Sequence, residues 1–476
     1  MRLLPLAALS AAIAIVAATA ASASAACLRL SRAGTQVQGE VRICPGRYRI
    51  PDPGERGVLI AASSGTRIDL SGVVLESGDS LPDRFVGVGI ASRGVDAVSV
   101  LGGTVRGYRF GVRLEGGRGH RVAGSDLSGS RGSAARAATL AADSAGPLDL
   151  AQPDTFLSYG GGLLLLRTTG AAVIGVTARE AQTGIGLVEA RESYVADNDV
   201  GGNRAWGIHL WRSSRNVVLR NRADGTRRCP PPADCRAAAI LVREGSDSNT
   251  IAENDLTASS TGLLVTGQSP LSRASIGNLV HRNDASRAEG AGFSAAHIWN
   301  LTLLENRADS SEQGIRLDHV SGVVLRGNTV IGARDAAIAA DHGRNNAVES
   351  NILIGAPVAV RVGAPRAGGA KSVNYRIDDN LLGGSERGIL LRETTGSRIR
   401  GNVFDGVGDG LLVDGVGHGT EVTGNVFLRA RGWFIDAPDL AAGGNYWATA
   451  DASAASARVR GRVSVLPWRP ATAAGY

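Results

Sequence analysis

Apolar and polar residues alternate with period two in short bursts along most of this chain. Gly314-Ile315-Arg316-Leu317-Asp318-His319 is one such burst: Ile315 and Leu317 fall on one side, Arg316 and Asp318 on the other, as in a strand with one buried face. Gly322-Val323-Val324-Leu325-Arg326-Gly327-Asn328 reads as a second strand that turns at the asparagine, and Thr329-Val330-Ile331 opens a third. The template recurs as Gly207-Ile208-His209-Leu210-Trp211 before Asn221, as Gly388-Ile389-Leu390-Leu391-Arg392 before Asn402, and as Gly410-Leu411-Leu412-Val413-Asp414 before Asn425. Asparagine closes each unit in the series Asn198, Asn221, Asn254, Asn283, Asn306, Asn328, Asn351, Asn380, Asn402 and Asn425, with steps of 23, 33, 29, 23, 22, 23, 29, 22 and 23 residues. A period of 22 or 23, interrupted only by longer steps, means one small unit stacked many times with loops inserted in some copies. Three short strands and three turns per unit make one coil of an all-β, single-stranded right-handed parallel β-helix, its coils about 4.8 Å apart.

Weaker copies without the asparagine precede the series, around Gly103, Ser125 and Val176. The asparagine column itself reads as structural, because Asn tolerates the left-handed conformation of tight turns and stacked amides bond to one another. Each coil of a solenoid contacts only its neighbours, so a chain of this length is expected to form one domain. Its parts are an N-terminal cap over about residues 26–60, coils over about 61–445, and a C-terminal cap over about 446–476. Gly444-Asn445-Tyr446-Trp447 and the stretch from Val463 to Trp468 supply the aromatics that would cover the last coil.

Residues 1–25 read as a cleavable export signal: Arg2, an apolar stretch from Leu3 to Val16, and the small-residue site Ala23-Ser24-Ala25. Cys27 raises a lipoprotein alternative, although Ser24 stands where a lipobox has Leu. No later segment is long and apolar enough to span a bilayer. A periplasmic or secreted location follows, and with it the expectation that four cysteines form two disulfides, Cys27 with Cys44 and Cys229 with Cys235 around Pro230-Pro231-Pro232.

The formal charge is +7, and Lys371 is the only lysine among 51 basic residues. Arginine's fixed fork of donors suits carboxylates and phosphates; an arginine-favouring codon composition accounts for the same bias. Nucleic acid is not expected as a partner outside the cytoplasm, and an acidic polysaccharide matches the charge better.

The repeats Gly-Ile-x-Leu…Val-x-Leu-x-x-Asn resemble those of the pectin-lyase-like superfamily of parallel β-helices, in the flavour of exported carbohydrate-active and NosD-like proteins. The resemblance covers nearly all of the mature chain. It implies the fold, and it leaves open lyase, epimerase, hydrolase and non-enzymatic roles.

The outer face of the first strand in each coil is where enzymes of that superfamily place their clefts. Reading it along the stack gives His209 and Trp211, Ser294 and Ala296, Arg316 and Asp318, Ala339 and Asp341, then Arg392 and Asp414. One position later, His297, His319 and His342 each precede their asparagine by nine residues, so three of seven histidines fall into one column. Insertions at about 267–274 and 363–371 leave from the same turn and bracket it; others, at about 130–158 and 226–236, leave from the opposite turn and rim the upstream end. His319, His342, Asp318, Asp341 and Arg316 are therefore the candidate catalytic set, able to move a proton and pair with a uronate carboxylate. His209, Trp211, His297, Arg392 and Tyr159 are candidates for substrate binding. A column of this kind also arises structurally, from identical residues stacking in a solenoid turn.

Asp318 and Asp341, one coil apart, could alternatively hydrolyse a glycosidic bond or hold Ca²⁺. The Asp-Pro-His motif of mannuronan epimerases is absent, and Gly417-His418-Gly419 lacks the partner motifs of a polygalacturonase. No metal site is assigned, because parallel histidines one coil apart point alongside each other, and the mature chain lacks the Met ligands of a copper(I) store. The leading expectation is a monomeric, exported polysaccharide-binding and polysaccharide-modifying protein; the alternative is a non-catalytic NosD-like periplasmic scaffold or accessory protein, with a metal-linked role among its forms.

Overall fold

In the computed structural model, residues 27–78, 85–131, 159–227, 237–267, 273–363, 372–415, 417–449 and 451–467 are described. The proposed export signal, Lys371 and the Cys229–Cys235 pair lie outside them. The described chain is a parallel β-helix. Two long sheets, of 17 and 15 strands, run its length, and every named strand pairing is parallel. The third face carries sheets of five and three strands, joined elsewhere by single-residue bridges such as Asp255–Asp284.

The alternation read from the sequence sets the inward face. In strand Gln313–Asp318, Ile315 and Leu317 are buried while Arg316 is exposed. Their counterparts one coil on, Ile338 and Ala340, are buried in register with them. Stacking of like on like gives a single continuous apolar core from Leu30 to Val465, with each fully buried Leu or Ile contributing roughly 1.5–3 kcal/mol.

The asparagines form an interior ladder. Asn306 Oδ1 accepts both the backbone N–H and the side-chain amide of Asn283, each at 3.0 Å, and Asn306 Nδ2 donates to Asn328 Oδ1 and to the Val280 carbonyl. The expected left-handed turn lies one residue earlier than the asparagine. Asp197, Arg220, Glu253, Arg282, Glu305, Ser350 and Asp379 have φ of 51° to 58°, and none of the series asparagines has a positive φ. The amide is used inside the turn, to satisfy backbone donors that bend away from the sheet, and its neighbour absorbs the strained angle. A second buried ladder runs through Asn216, Asn249 and Asn278, again with amide-to-amide bonds.

Arginines along this corner mostly face acids one coil away, as in Arg220–Asp197, Arg215–Glu192 and Arg326–Glu349. Much of the positive charge is thus neutralised locally. At the N-terminal end a disulfide joins Cys27 to Cys44. At the C-terminal end Trp447 is buried and stacks on Phe427 at 5.0 Å, which in turn stacks on Phe404 at 4.5 Å.

Candidate functional site

Strand Gln313–Asp318 pairs with Ala291–Ala296 on one side and Ala336–Asp341 on the other, placing Ala296, Asp318 and Asp341 in one row. The next residue in each coil makes the corner. His297, His319 and His342 all take left-handed backbone angles, φ 53°, 51° and 52°. The amides of His297 and His319 keep the sheet ladder by donating to the carbonyls of Asp318 and Asp341. Identical backbone geometry throws the three side chains the same way, and the rings stack at 4.8 Å and 4.4 Å with interplanar angles of 28° and 11°.

Asp318 ties this stack together. Its Oδ1 lies 2.7 Å from Nδ1 of His319 and 3.5 Å from Nδ1 of His342. One ligand atom each from His297, Asp318 and His319 fall within 4.8 Å of one another. The rings are parallel, as expected of a solenoid column, but the carboxylate one position earlier adds a donor among them. The sequence argument against a metal considered the histidines alone and missed this convergence. Asp341 is half-buried, and its Oδ1 has no hydrogen-bond partner among the described residues. Burial pushes its carboxyl above the usual range; Arg361 pulls against this and the charge of Asp318 adds to it.

Arg316 is exposed on the same strand face. Arg361, two coils further along, extends that row as the register partner of Ala339. It grips Asp335 with two bonds of 2.9 Å and holds the Asp335 carboxyl below its ordinary range. Sequence reading passed over Arg361 because strand Val358–Val362 has no opening glycine; the pattern Val358-Ala359-Val360-Arg361-Val362 was the available signal.

Four expected binding residues lie elsewhere. His209 and Trp211 do point away from the core, but they are only 4% and 3% exposed. Their face is apolar for several coils: Leu164, Leu166 and Val188 join Trp211, Val88 and Phe110 in one cluster. Burial, and next the charge of Arg243, drive the His209 imidazole well below its ordinary pKa, so it is neutral. Alternation tells which side of a strand a residue occupies, not whether that side is covered. Neither residue offers a sugar-stacking surface. Tyr159 is half-buried against the cluster of Ala205, Trp206, Ala238 and Leu241. Arg392 lies two strands beyond Asp341 and faces Asp414 at 3.4 Å.

The assembled group is thus His297, Asp318, His319, His342 and Asp341, with Arg316 beside it. Two imidazoles and a carboxylate, without thiolate or thioether, form a donor set suited to copper(II) or zinc rather than copper(I). The three residues can therefore hold a divalent ion of either kind, with the outer side of His319 exposed.

No curated protein sequence matches the chain. Among solved structures, the Dettilon tailspike protein is similar at 15% identity and a TM-score of 0.36, over 77% of this chain and 60% of that one. The chain therefore spans about 60% of that tailspike's length. The periplasmic alginate epimerase AlgG is similar at 13% identity and a TM-score of 0.40, over 82% of this chain and 76% of that one. A double mutant of the tailspike protein of E. coli bacteriophage HK620, in complex with pentasaccharide, is similar at 14% identity and a TM-score of 0.42, over 90% and 72%. The sequence pattern of the family described as "Periplasmic copper-binding protein (NosD)" matches residues 64–269 and 234–368, together more than half of the chain. The chain belongs to the NosD family of parallel β-helix proteins.

Proposed function

We propose that this protein binds copper(II) outside the cytoplasm, through His297, Asp318 and His319. The convergence of those three donors carries the reading, and the family's description and the Cys27–Cys44 disulfide support it. Asp318 Oδ1 lies 2.7 Å from His319 Nδ1, so these two donors are already held beside each other in the folded chain. His342 completes the stack and helps position Asp318. A bound copper ion would supply a redox-capable, strongly polarising centre on an open corner of the solenoid; the chain's own residues hold and orient it.

The test is titration of the metal-free protein with copper(II), followed by calorimetry and electron paramagnetic resonance. One ion per chain with nitrogen hyperfine structure is expected. The double variant His297→Ala/His319→Ala should lose at least tenfold in affinity, while His418→Ala, at an exposed turn, should not. Equal binding by all three proteins would refute the assignment.

A second reading is favoured by Arg316, exposed beside the Asp-His pairs. Arg316 would hold a uronate carboxylate while a histidine or Asp341 moves a proton, giving lyase, epimerase or hydrolase action on an acidic polysaccharide. The two readings part at one measurement. Metal-free protein that turns over an acidic polymer, with loss in Arg316→Ala, supports the second and not the first.

A further inference from the structure

We propose that a groove near the N-terminal end of the solenoid binds a linear anionic glycan, a polyuronate, at a site separate from the histidine corner. The third face begins with strands Gly46–Arg49, Val73–Glu76 and Thr104–Arg106, in which Arg49, Glu76 and Arg106 stand in register. Glu76 is largely buried and gathers three guanidinium groups, from Arg106 at 3.2 Å, Arg49 at 3.5 Å and Arg47 at 3.8 Å. Burial alone would raise its carboxyl, but the Arg106 hydrogen bond and the surrounding arginines outweigh it and hold the group lowered and anionic. One carboxylate thus organises three cations whose side chains stay 48% to 70% exposed.

These residues open into a cavity of about 610 Å³, which Arg131 and Arg204 also line, with Glu180 as the second carboxylate. Among the described residues, five guanidinium groups and two carboxylates line it. Gly107, Gly129, Glu180 and Gly202 line it in one row, three residues beyond the bridged positions Thr104, Asp126, Thr177 and Asp199. The three glycines have left-handed angles, φ 77°, 75° and 64°, and at those coils no side chain separates a ligand from the backbone.

The shape selects the ligand. The lining residues come from six successive coils, so the groove runs along the axis for about 24 Å at a spacing of about 4.8 Å per coil. A single phosphate or carboxylate would use one or two of the arginines. A chain bearing one carboxylate per sugar presents charge at a repeat comparable to the coil spacing, and it engages the row together. Bases of a nucleic acid strand would need exposed aromatic faces for stacking. Among the described residues, the one aromatic lining the groove, Phe85, is 7% exposed.

The experiment uses the full mature chain and a defined oligogalacturonate of six residues, with calorimetry at low and physiological salt. Binding that weakens as salt rises is expected, together with at least a tenfold loss in Arg47→Gln/Arg204→Gln. Both side chains are exposed, so the variant should keep the parent's thermal midpoint. Arg106→Gln provides a second variant with the same expected loss. The fully methyl-esterified oligomer should not bind, and His297→Ala/His319→Ala should bind as the parent does, whatever the outcome for copper. Equal affinity for the methyl ester, for inorganic phosphate or for a single-stranded DNA of matched charge would overturn the proposal, as would no binding at all.

Discussion

At Asp341 a half-buried carboxylate keeps one oxygen without a hydrogen bond among the described residues and sits in register with another acid, Asp318. Its pKa in the folded chain is raised by burial above the unfolded value. Between those two values the folded state binds more protons, so stability falls as pH rises through the window, and the full penalty is present above it. Asp341→Asn removes the charge and keeps the shape. The variant should melt at a higher temperature than the parent at pH 7, and the two should converge near pH 3; thermal unfolding across that range decides it. No gain at pH 7 would mean that an ion pair compensates Asp341. The same corner marks how far single residues were legible. Spacing placed the three histidines in one column, because register is a property of counting. It gave no account of Asp318 as a third donor, which depends on a side chain folding back across the corner.

The asparagine ladder belongs to the scale of the repeated element. Removing Asn306 takes the acceptor from the buried backbone N–H of Asn283 and the donor from the Val280 carbonyl and Asn328 Oδ1, while the Asn283 side-chain amide keeps the Ile251 and His281 carbonyls. Unsatisfied buried groups cost roughly 1–3 kcal/mol each, so Asn306→Ala should cost on the order of 3 kcal/mol or more. Urea unfolding measures the loss, and hydrogen exchange should place it in the coils around residues 280–330. A loss under about 1 kcal/mol would show that water enters and replaces the amide. The series itself was plain in the sequence. The second ladder, through Asn216, Asn249 and Asn278, was equally readable, since each precedes a member of the first series by five residues. The error over the left-handed residue has a physical source: tolerance of a conformation does not mean that it is used, and burial of the amide was the stronger demand.

For the molecule as a whole, stability in a stacked array is close to a sum over coils and their neighbours, and the ends are its weak points. Trp447 closes one end by stacking on Phe427, with Phe434 tilted against both. Trp447→Ala should cost about 3–5 kcal/mol, felt chiefly in the last coils. Hydrogen exchange should quicken around Val426 and Ile435 and stay unchanged near Ile68; uniform quickening would instead indicate one cooperative unit. Fold class was legible because a long repeat averages out local ambiguity. Covered outer faces, such as the one over His209 and Trp211, were not, since they depend on parts of the chain remote in sequence. One consequence of the asparagine ladder emerges only at this scale. From Asn198 to Asn425 every amide of the series donates to the amide oxygen of the following coil, ending on Asn445, and none of these amide-to-amide bonds reverses. Aligned hydrogen-bonded amides polarise one another and add their dipoles. The interior of this solenoid is therefore an electrical arrow along its axis, with the positive end toward the C-terminal cap.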